Sequence, residues 1–208
     1  MFPQLIAHPW GVAVLGSATV TAPPDLARVR FRVTRLEQAP AVAFDAATAV
    51  VGLVRSVLRD HGVAKVQEAR LGLRTVWSYS EPTQTLVGYE CAAGFLIETT
   101  SLDDVPQVLS DLVAAGAREI DAVEFDVTGR DALQAQASRQ AIAAARAKAS
   151  LYADAAGMRL GAVLHIEDVD GQPAVMQFAA ASGSGGDLAP AEIVVSATVR
   201  VGFALTRD

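Results

Sequence analysis

Apolar residues repeat with two different periods along this chain, and the order of the two periods limits the fold. Period-two alternation, typical of strands, covers residues 12–20, 27–33, 68–76, 86–98, 120–127, 162–167 and 193–204. Spacings of three and four, typical of helices, begin at Pro40, at Ser101 and at Asp131. The predicted order is ββ-α-ββ-α-β-α-ββ, an α+β fold with a largely antiparallel sheet and helices packed on one face.

Turn and capping residues set the predicted boundaries of these elements. The turn at 22–25 contains two prolines, which cannot donate to a ladder, so the first two strands are predicted to form a hairpin. Glycines 62, 116 and 157 are predicted to end the three helices, and Ser101 is predicted to cap the second. Small residues of the third helix are expected to let a neighbouring element approach closely: Ala137, Ala141, Ala144 and Ala155.

The length and composition fit one folded domain. A chain of 208 residues, 51% hydrophobic and 19% charged, can bury a core without disulfides or a structural metal. We predict a single domain over 1–208, with an N-terminal extension at 1–11. The glycine- and serine-rich stretch within 179–190 is predicted to be a flexible loop.

The charge and the apolar pattern exclude several kinds of partner. A net charge of −6 argues against nucleic acid, because phosphate binding needs a basic surface. Charged or polar residues interrupt every apolar stretch, so no membrane span is predicted. The first residues lack the basic start and long apolar run of a secretory signal, which predicts a cytoplasmic protein.

Four ordered segments resemble the SIMPL-domain family of YggE-like bacterial proteins. They are GSATVTAPPDLARVRFRV, GYECAAGFLIETTSLDDVPQVLSDLVAAGA, ASRQAIAAARAKASLYADAAGMRLGAVLHIED and EIVVSATVRVGFAL. The resemblance covers nearly the whole chain. It implies an α+β fold, homo-oligomers in some members and links to stress protection or signalling, and it supplies no catalytic residues.

No catalytic or metal-binding motif stands out. The histidines, at 8, 61 and 165, do not pair at metal-ligand spacing, and the single cysteine, Cys91, is expected to be buried. The acidic turn at 168–171 lacks the glutamate of a calcium loop, and the glycines at 183–186 lack the lysine of a phosphate loop. We predict no enzyme activity and no cofactor.

Arginines form the most distinctive polar pattern. Six of them share the outward phase of their predicted strands: Arg28, Arg30, Arg32, Arg70, Arg74 and Arg200. Outward-facing acids on the same set of strands could pair with them across the sheet: Glu68, Glu90, Glu98, Glu124 and Asp126. Alternatively, the face binds an anionic ligand or a neighbouring subunit, since guanidinium groups suit carboxylates and phosphates.

Two aromatic residues complete the candidate contact residues. Trp77 and Tyr79 fall in a predicted turn-rich loop at 77–83, where they either anchor a protein contact or fold back and become buried. With the family resemblance, these patterns favour a non-catalytic, self-associating interaction or scaffold protein. A module that binds a small anionic ligand is the alternative.

Overall fold

The computed structural model describes residues 11–68, 70–80, 83–169, 176–177 and 192–207, which form two compact units. The first unit contains the described residues of 11–23 and of 129–207, and we call it the α3 unit. The second contains residues 24–128, and we call it the α1–α2 unit. Every strand pair among these residues is antiparallel, so the predicted α+β class is confirmed.

The α1–α2 unit is a five-stranded sheet with two helices. Its strands are β2 (Leu26–Glu37), β3 (Lys65–Glu68), β4 (Gly72–Ser80), β5 (Thr83–Thr99) and β6 (Glu119–Asp126). Its helices are α1 (Pro40–Asp60) and α2 (Val105–Ala115), the latter preceded by a 3₁₀ turn at Leu102–Asp104. Strand β2 lies between β5 and β6, while β3 and β4 pair with successive parts of β5.

Large apolar side chains fill the core between this sheet and its helices. Phe31 of β2 and Phe95 of β5 stack with their ring centroids 4.9 Å apart. Val54 and Leu58 of α1 and Leu112 of α2 are buried in the same cluster. Because side chains alternate along each strand, Arg28, Arg30 and Arg32 of β2 and Glu90 and Glu98 of β5 lie on the opposite face of the sheet.

The α3 unit is a second sheet packed on one long helix. Strand β1 (Gly11–Ala22) and strand β7 (Arg159–Asp168) flank β9 (Ile193–Thr206), and the short β8 (Met176–Gln177) also pairs with β9. Helix α3 (Arg130–Ala155) buries a stripe of alanines at every fourth position: Ala137, Ala141, Ala145, Ala149 and Ala153. A methyl group built on Gly16 of β1 would lie 2.5 Å from the Ala145 backbone nitrogen.

The predicted hairpin is wrong, because β1 and β2 belong to different sheets. Strand β1 pairs with β9 along its whole length, whereas β2 pairs with β5 and β6. The one sheet expected from the sequence is therefore two sheets. The prediction of a single domain over 1–208 stays a prediction, and residues 1–10 and 178–191 lie outside the described part of the chain.

Three local predictions also need correction. The strand predicted at 68–76 is two strands, β3 and β4. The predicted loop at 77–83 is largely strand, since β4 continues to Ser80 and β5 begins at Thr83. On α3, the two alanines predicted at 144 and 155 are exposed, and the buried stripe contains those at 145, 149 and 153 instead.

The helix ends follow the glycines. Gly62, Gly116 and Gly157 have positive φ, as predicted. The Arg35 guanidinium donates to the Gly116 carbonyl at 3.2 Å and occupies the space a Cβ would need. Ser101 precedes the 3₁₀ turn, its side chain makes no capping hydrogen bond, and α2 itself begins at Val105.

Helix α1 is the one helix in the described residues with the length and apolar composition of a membrane span. A third of its most apolar window is buried inside the structure, and Val50, Val54 and Leu58 face the sheet. A core helix of a folded domain passes the same test of length and composition. The absence of a membrane span stays a prediction.

Candidate functional site: an arginine-bearing sheet face

Three of the predicted arginines lie in a row on β2, on the face of the sheet that the helices do not cover. Arg28, Arg30 and Arg32 alternate with the buried Val29, Phe31 and Val33. We call this surface the arginine face. The arginine face also includes the residues of β4, β5 and β6 whose side chains point to the same side of the sheet. The register between these strands determines which charged residues are neighbours.

Arg28 is at the centre of the most buried ion pairs on this face. Its Nε donates to Glu98 at 3.0 Å and its Nη1 donates to Asp126 at 2.6 Å. Lys65 of β3 also donates to Glu98, at 2.7 Å. The Lys65 ammonium and then the Arg28 guanidinium hold the pKa of Glu98 below its usual value, while the hydrogen bond to Glu98 raises the pKa of Arg28.

The other arginines of the face have more exposed partners. Arg30 lies 3.6 Å from Glu124, and Arg32 lies 3.1 Å from Glu119 and 3.7 Å from Asp121. The Arg74 Nε donates to Glu90 at 2.7 Å, which raises the pKa of that guanidinium. Cross-strand ion pairs of this kind, which the sequence raised as one possibility, are therefore present on this face.

One groove brings three of the predicted arginines together. Its volume is about 420 Å³, and Arg32, Arg70 and Arg74 lie around it. The remaining lining residues are Thr34, Gly72, Leu73, Glu90, Ala92 and Glu119. Arg70 has no hydrogen bond or ion pair to any residue that the structure describes. We call this cavity the Arg70 groove.

The remaining predicted contact residues lie elsewhere. Arg200 is on β9 in the α3 unit, where it pairs with Glu167 at 2.7 Å, so it is not part of the arginine face. Trp77 lies on β4 with 44% of its surface exposed. Tyr79 is in the same strand, and its side chain lies outside the described structure. Glu68 pairs with Arg55 of α1 at 2.8 Å rather than with a β2 arginine.

The residues examined for metal or nucleophilic chemistry do not come together. Within the described part of the chain, no group of three or more His, Cys, Asp or Glu side chains could hold a metal ion. His61 Nε2 lies 2.8 Å from Asp111 Oδ2, linking the end of α1 to α2. Cys91 is buried, as expected, and burial raises the pKa of its thiol. His8, residues 170–171 and the whole 183–186 segment lie outside the described residues.

An apolar edge strand is a feature that sequence reasoning missed. Strand β7 pairs only with β9 among the described residues, and Val163, Leu164 and Ile166 are exposed on it. Their period-two pattern predicted a strand but gave no sign of its position at the edge of a sheet. Charged residues that would discourage association are confined to the ends of this strand.

The amino-acid sequence matches a described protein family. Residues 12–203 match the model of the SIMPL family, whose description is "Protein of unknown function (DUF541)". The match covers most of the chain and includes the whole of helices α1, α2 and α3. The chain therefore belongs to the SIMPL family.

Similar proteins come from several bacteria. The chain is 25% identical over 183 residues to the 26 kDa periplasmic immunogenic protein of Brucella melitensis, and the alignment covers 85% of this chain and 73% of that protein. The protein of the same name from Brucella abortus matches with the same identity and coverage. The uncharacterized protein YggE of Edwardsiella ictaluri is 26% identical over 177 residues, covering 82% of this chain and 74% of the relative.

Proposed function

We propose that this SIMPL-family chain is a non-catalytic interaction or scaffold protein that works as a homo-oligomer. The observation that carries the proposal is the apolar edge strand β7. Leu164 is 60% exposed and Ile166 is 49% exposed, although each could have been polar without disturbing the core. Contiguous exposed apolar residues are typical of surfaces that another protein covers.

A second copy of the chain is the occupant we propose. An edge strand leaves backbone donors and acceptors free, and a twofold axis brings the same surface of two copies together. Register shifts interrupt β7 around Val163, which makes a long continuous ladder between two copies unfavourable. We therefore attribute the contact chiefly to the apolar side chains. Trp77, with its exposed indole on β4, is a second candidate contact.

The experiment is light scattering coupled to size-exclusion chromatography, across a concentration and salt series. We expect one defined assembly whose mass changes little with salt, because apolar contacts are not screened. Leu164→Lys should lower that mass by placing a charge in the contact. Leu151→Lys is the matched control, because Leu151 is equally exposed but lies on α3 in the same unit.

Two results would contradict the proposal. A wild-type chain that stays monomeric at high micromolar concentration would remove the homo-oligomer. An equal loss of mass in both lysine variants would remove the assignment to β7. Circular dichroism and thermal unfolding of each variant separate lost association from lost folding.

A second candidate function is the binding of a small anionic ligand. The convergence of Arg32, Arg70 and Arg74 on one groove supports it. A ligand that binds only the folded chain raises the unfolding temperature, so a panel of anions and metabolites tests it by thermal shift. A flat response to the whole panel, with ionic strength held constant, would exclude this function.

The cellular setting is proposed separately from the molecular function. The opening residues led us to expect the cytoplasm, whereas both Brucella relatives have "periplasmic" in their names. Fractionation of the natural host with an antibody to the chain decides between these compartments. A role in stress protection rests on the family resemblance alone, and a deletion strain grown with and without a panel of applied stresses tests it.

A further inference from the structure

Small residues on adjacent strands create the floor of the Arg70 groove. Thr34 of β2 is opposite Ala92 of β5, and Ala92 is opposite Gly72 of β4. A row of small side chains between longer ones leaves a depression of about 420 Å³, which is the size of a small-molecule site.

The side chains around this depression carry one more positive charge than negative charge. Three arginines and two glutamates line it, a difference of 3 − 2 = +1. Glu90 already accepts from Arg74 and Glu119 from Arg32, and Asp121 lies 3.7 Å from Arg32 just outside the groove. Arg70 is the guanidinium left without a carboxylate partner among the described residues. The groove can therefore accept an anion without first breaking an ion pair.

Thr34 supplies a second polar group that has no partner in the described structure. Its Oγ1 is covered by neighbouring atoms and makes no hydrogen bond. A covered hydroxyl without a partner costs free energy, and such groups in folded proteins call for an explanation. A change of about 120° in χ1 moves the hydroxyl to another staggered position, which would present it to a ligand.

We propose that the Arg70 groove binds a small molecule through one carboxylate or phosphate group. Arg70 donates two parallel N–H bonds to the oxyanion, and the Thr34 hydroxyl donates a third. Gly72 and Ala92 leave the space that the ligand occupies. The neighbouring glutamates repel polyanions, so the ligand is a small monoanion or dianion and not a nucleic acid. This inference deepens the second candidate function and is independent of self-association.

The test is isothermal titration of the full chain with inorganic phosphate and, separately, with succinate. Sodium chloride at matched ionic strength is the blank, because screening alone also changes the heat. Whichever probe binds more tightly identifies the chemistry of the group. We expect Arg70→Gln to weaken binding about tenfold or more, as for loss of a charge-assisted hydrogen bond.

Three further variants make the test specific. Thr34→Val should weaken binding about threefold while leaving the unfolding temperature equal or higher, because it removes a hydroxyl that has no partner. Gly72→Val should abolish binding by filling the floor. The nearest atom to a Cβ on Gly72 is the Ala92 carbonyl oxygen at 4.0 Å, so folding should survive. Arg30→Gln removes the same charge from the same face outside the groove, and binding should persist.

The outcomes separate this inference from the broader function. If the wild-type chain binds neither probe nor any anion of the panel, both fail. If the wild-type chain binds but Arg30→Gln weakens binding as much as Arg70→Gln, the groove is not the site and the anion-binding function stands. A selective loss in the Arg70, Thr34 and Gly72 variants supports the groove.

Discussion

The two units pack helix on sheet by opposite means. In the α1–α2 unit, large side chains such as Phe31, Phe95 and Leu112 fill the space between the layers. In the α3 unit, the helix presents a stripe of alanines, and Gly16 of β1 lies directly beneath it. The first arrangement depends on buried apolar area, and the second depends on close approach of two backbones.

This difference determines which substitutions each unit tolerates. A buried phenylalanine removes a large apolar surface from water, and its loss leaves a cavity. A buried alanine contributes little area, but nothing larger fits in its place. The α1–α2 unit should therefore be sensitive to truncation, and the α3 unit should be sensitive to enlargement.

The largest expected effect comes from truncation in the α1–α2 unit. Phe31→Ala removes one ring of the stacked pair and should lower the free energy of unfolding by about 3–5 kcal/mol. Denaturant unfolding followed by hydrogen exchange, resolved by residue, measures the loss in each unit. Truncation at an alanine of α3, Ala145→Gly, is the counterpart and should cost only about 1 kcal/mol, largely from helix propensity.

Enlargement in the α3 unit should have the next largest effect. Gly16→Ala places a methyl group 2.7 Å from the Ala145 Cβ and should destabilise the unit by about 2–3 kcal/mol. Gly52→Ala is the matched control in α1, where a Cβ meets nothing within 4 Å, and it should stabilise by up to about 1 kcal/mol. Similar unfolding midpoints for the two variants would contradict the close-approach account.

The smallest effect concerns the ion pairs of the two sheets. Glu98→Gln should lower stability by about 1 kcal/mol near neutral pH, because two cations hold the carboxylate. Since those cations depress the folded-state pKa of Glu98, its contribution is present above the unfolded-state pKa and is lost as pH falls through the folded-state value. Glu167→Gln, in the exposed pair with Arg200, should change little at any pH. The measurement is the free energy of unfolding against pH for the wild-type chain, Glu98→Gln and Glu167→Gln. Parallel curves for the wild-type chain and Glu98→Gln would contradict this account.

The period of the apolar residues predicted which segments are helices and strands better than it predicted which strands pair with each other. The helices at 40, 101 and 131 and the outward phase of Arg28, Arg30 and Arg32 follow from the spacing of apolar residues. Alternation marks a residue run as a strand, but it carries no information on which strand lies beside it. That is why the turn at Pro23-Pro24 suggested a hairpin, although its two strands enter different sheets.

The groove shows the same limit at the level of single residues. Arg32, Arg70 and Arg74 were predictable as a set because each is charged and faces outward. Thr34, Gly72 and Ala92 were not, because they become neighbours only through the register of three strands. Trp77 was assigned to a loop because serine and tyrosine residues around it resembled a turn, whereas pairing with β5 keeps that segment extended.

The pairing of β1 with β9 has a consequence for how the chain is made. Gly11 pairs with Ala204 and Ala22 with Ile193, so β1 leaves the ribosome well before its partner exists. At about 5–20 residues per second, the 170 residues between Ala22 and Ile193 take roughly 9–34 s to synthesise. The α1–α2 unit, contiguous from 24 to 128, can fold during that interval, while β1 waits with its apolar face uncovered. Newly made chains should therefore be most prone to aggregate, and most dependent on chaperones, before the last strand emerges.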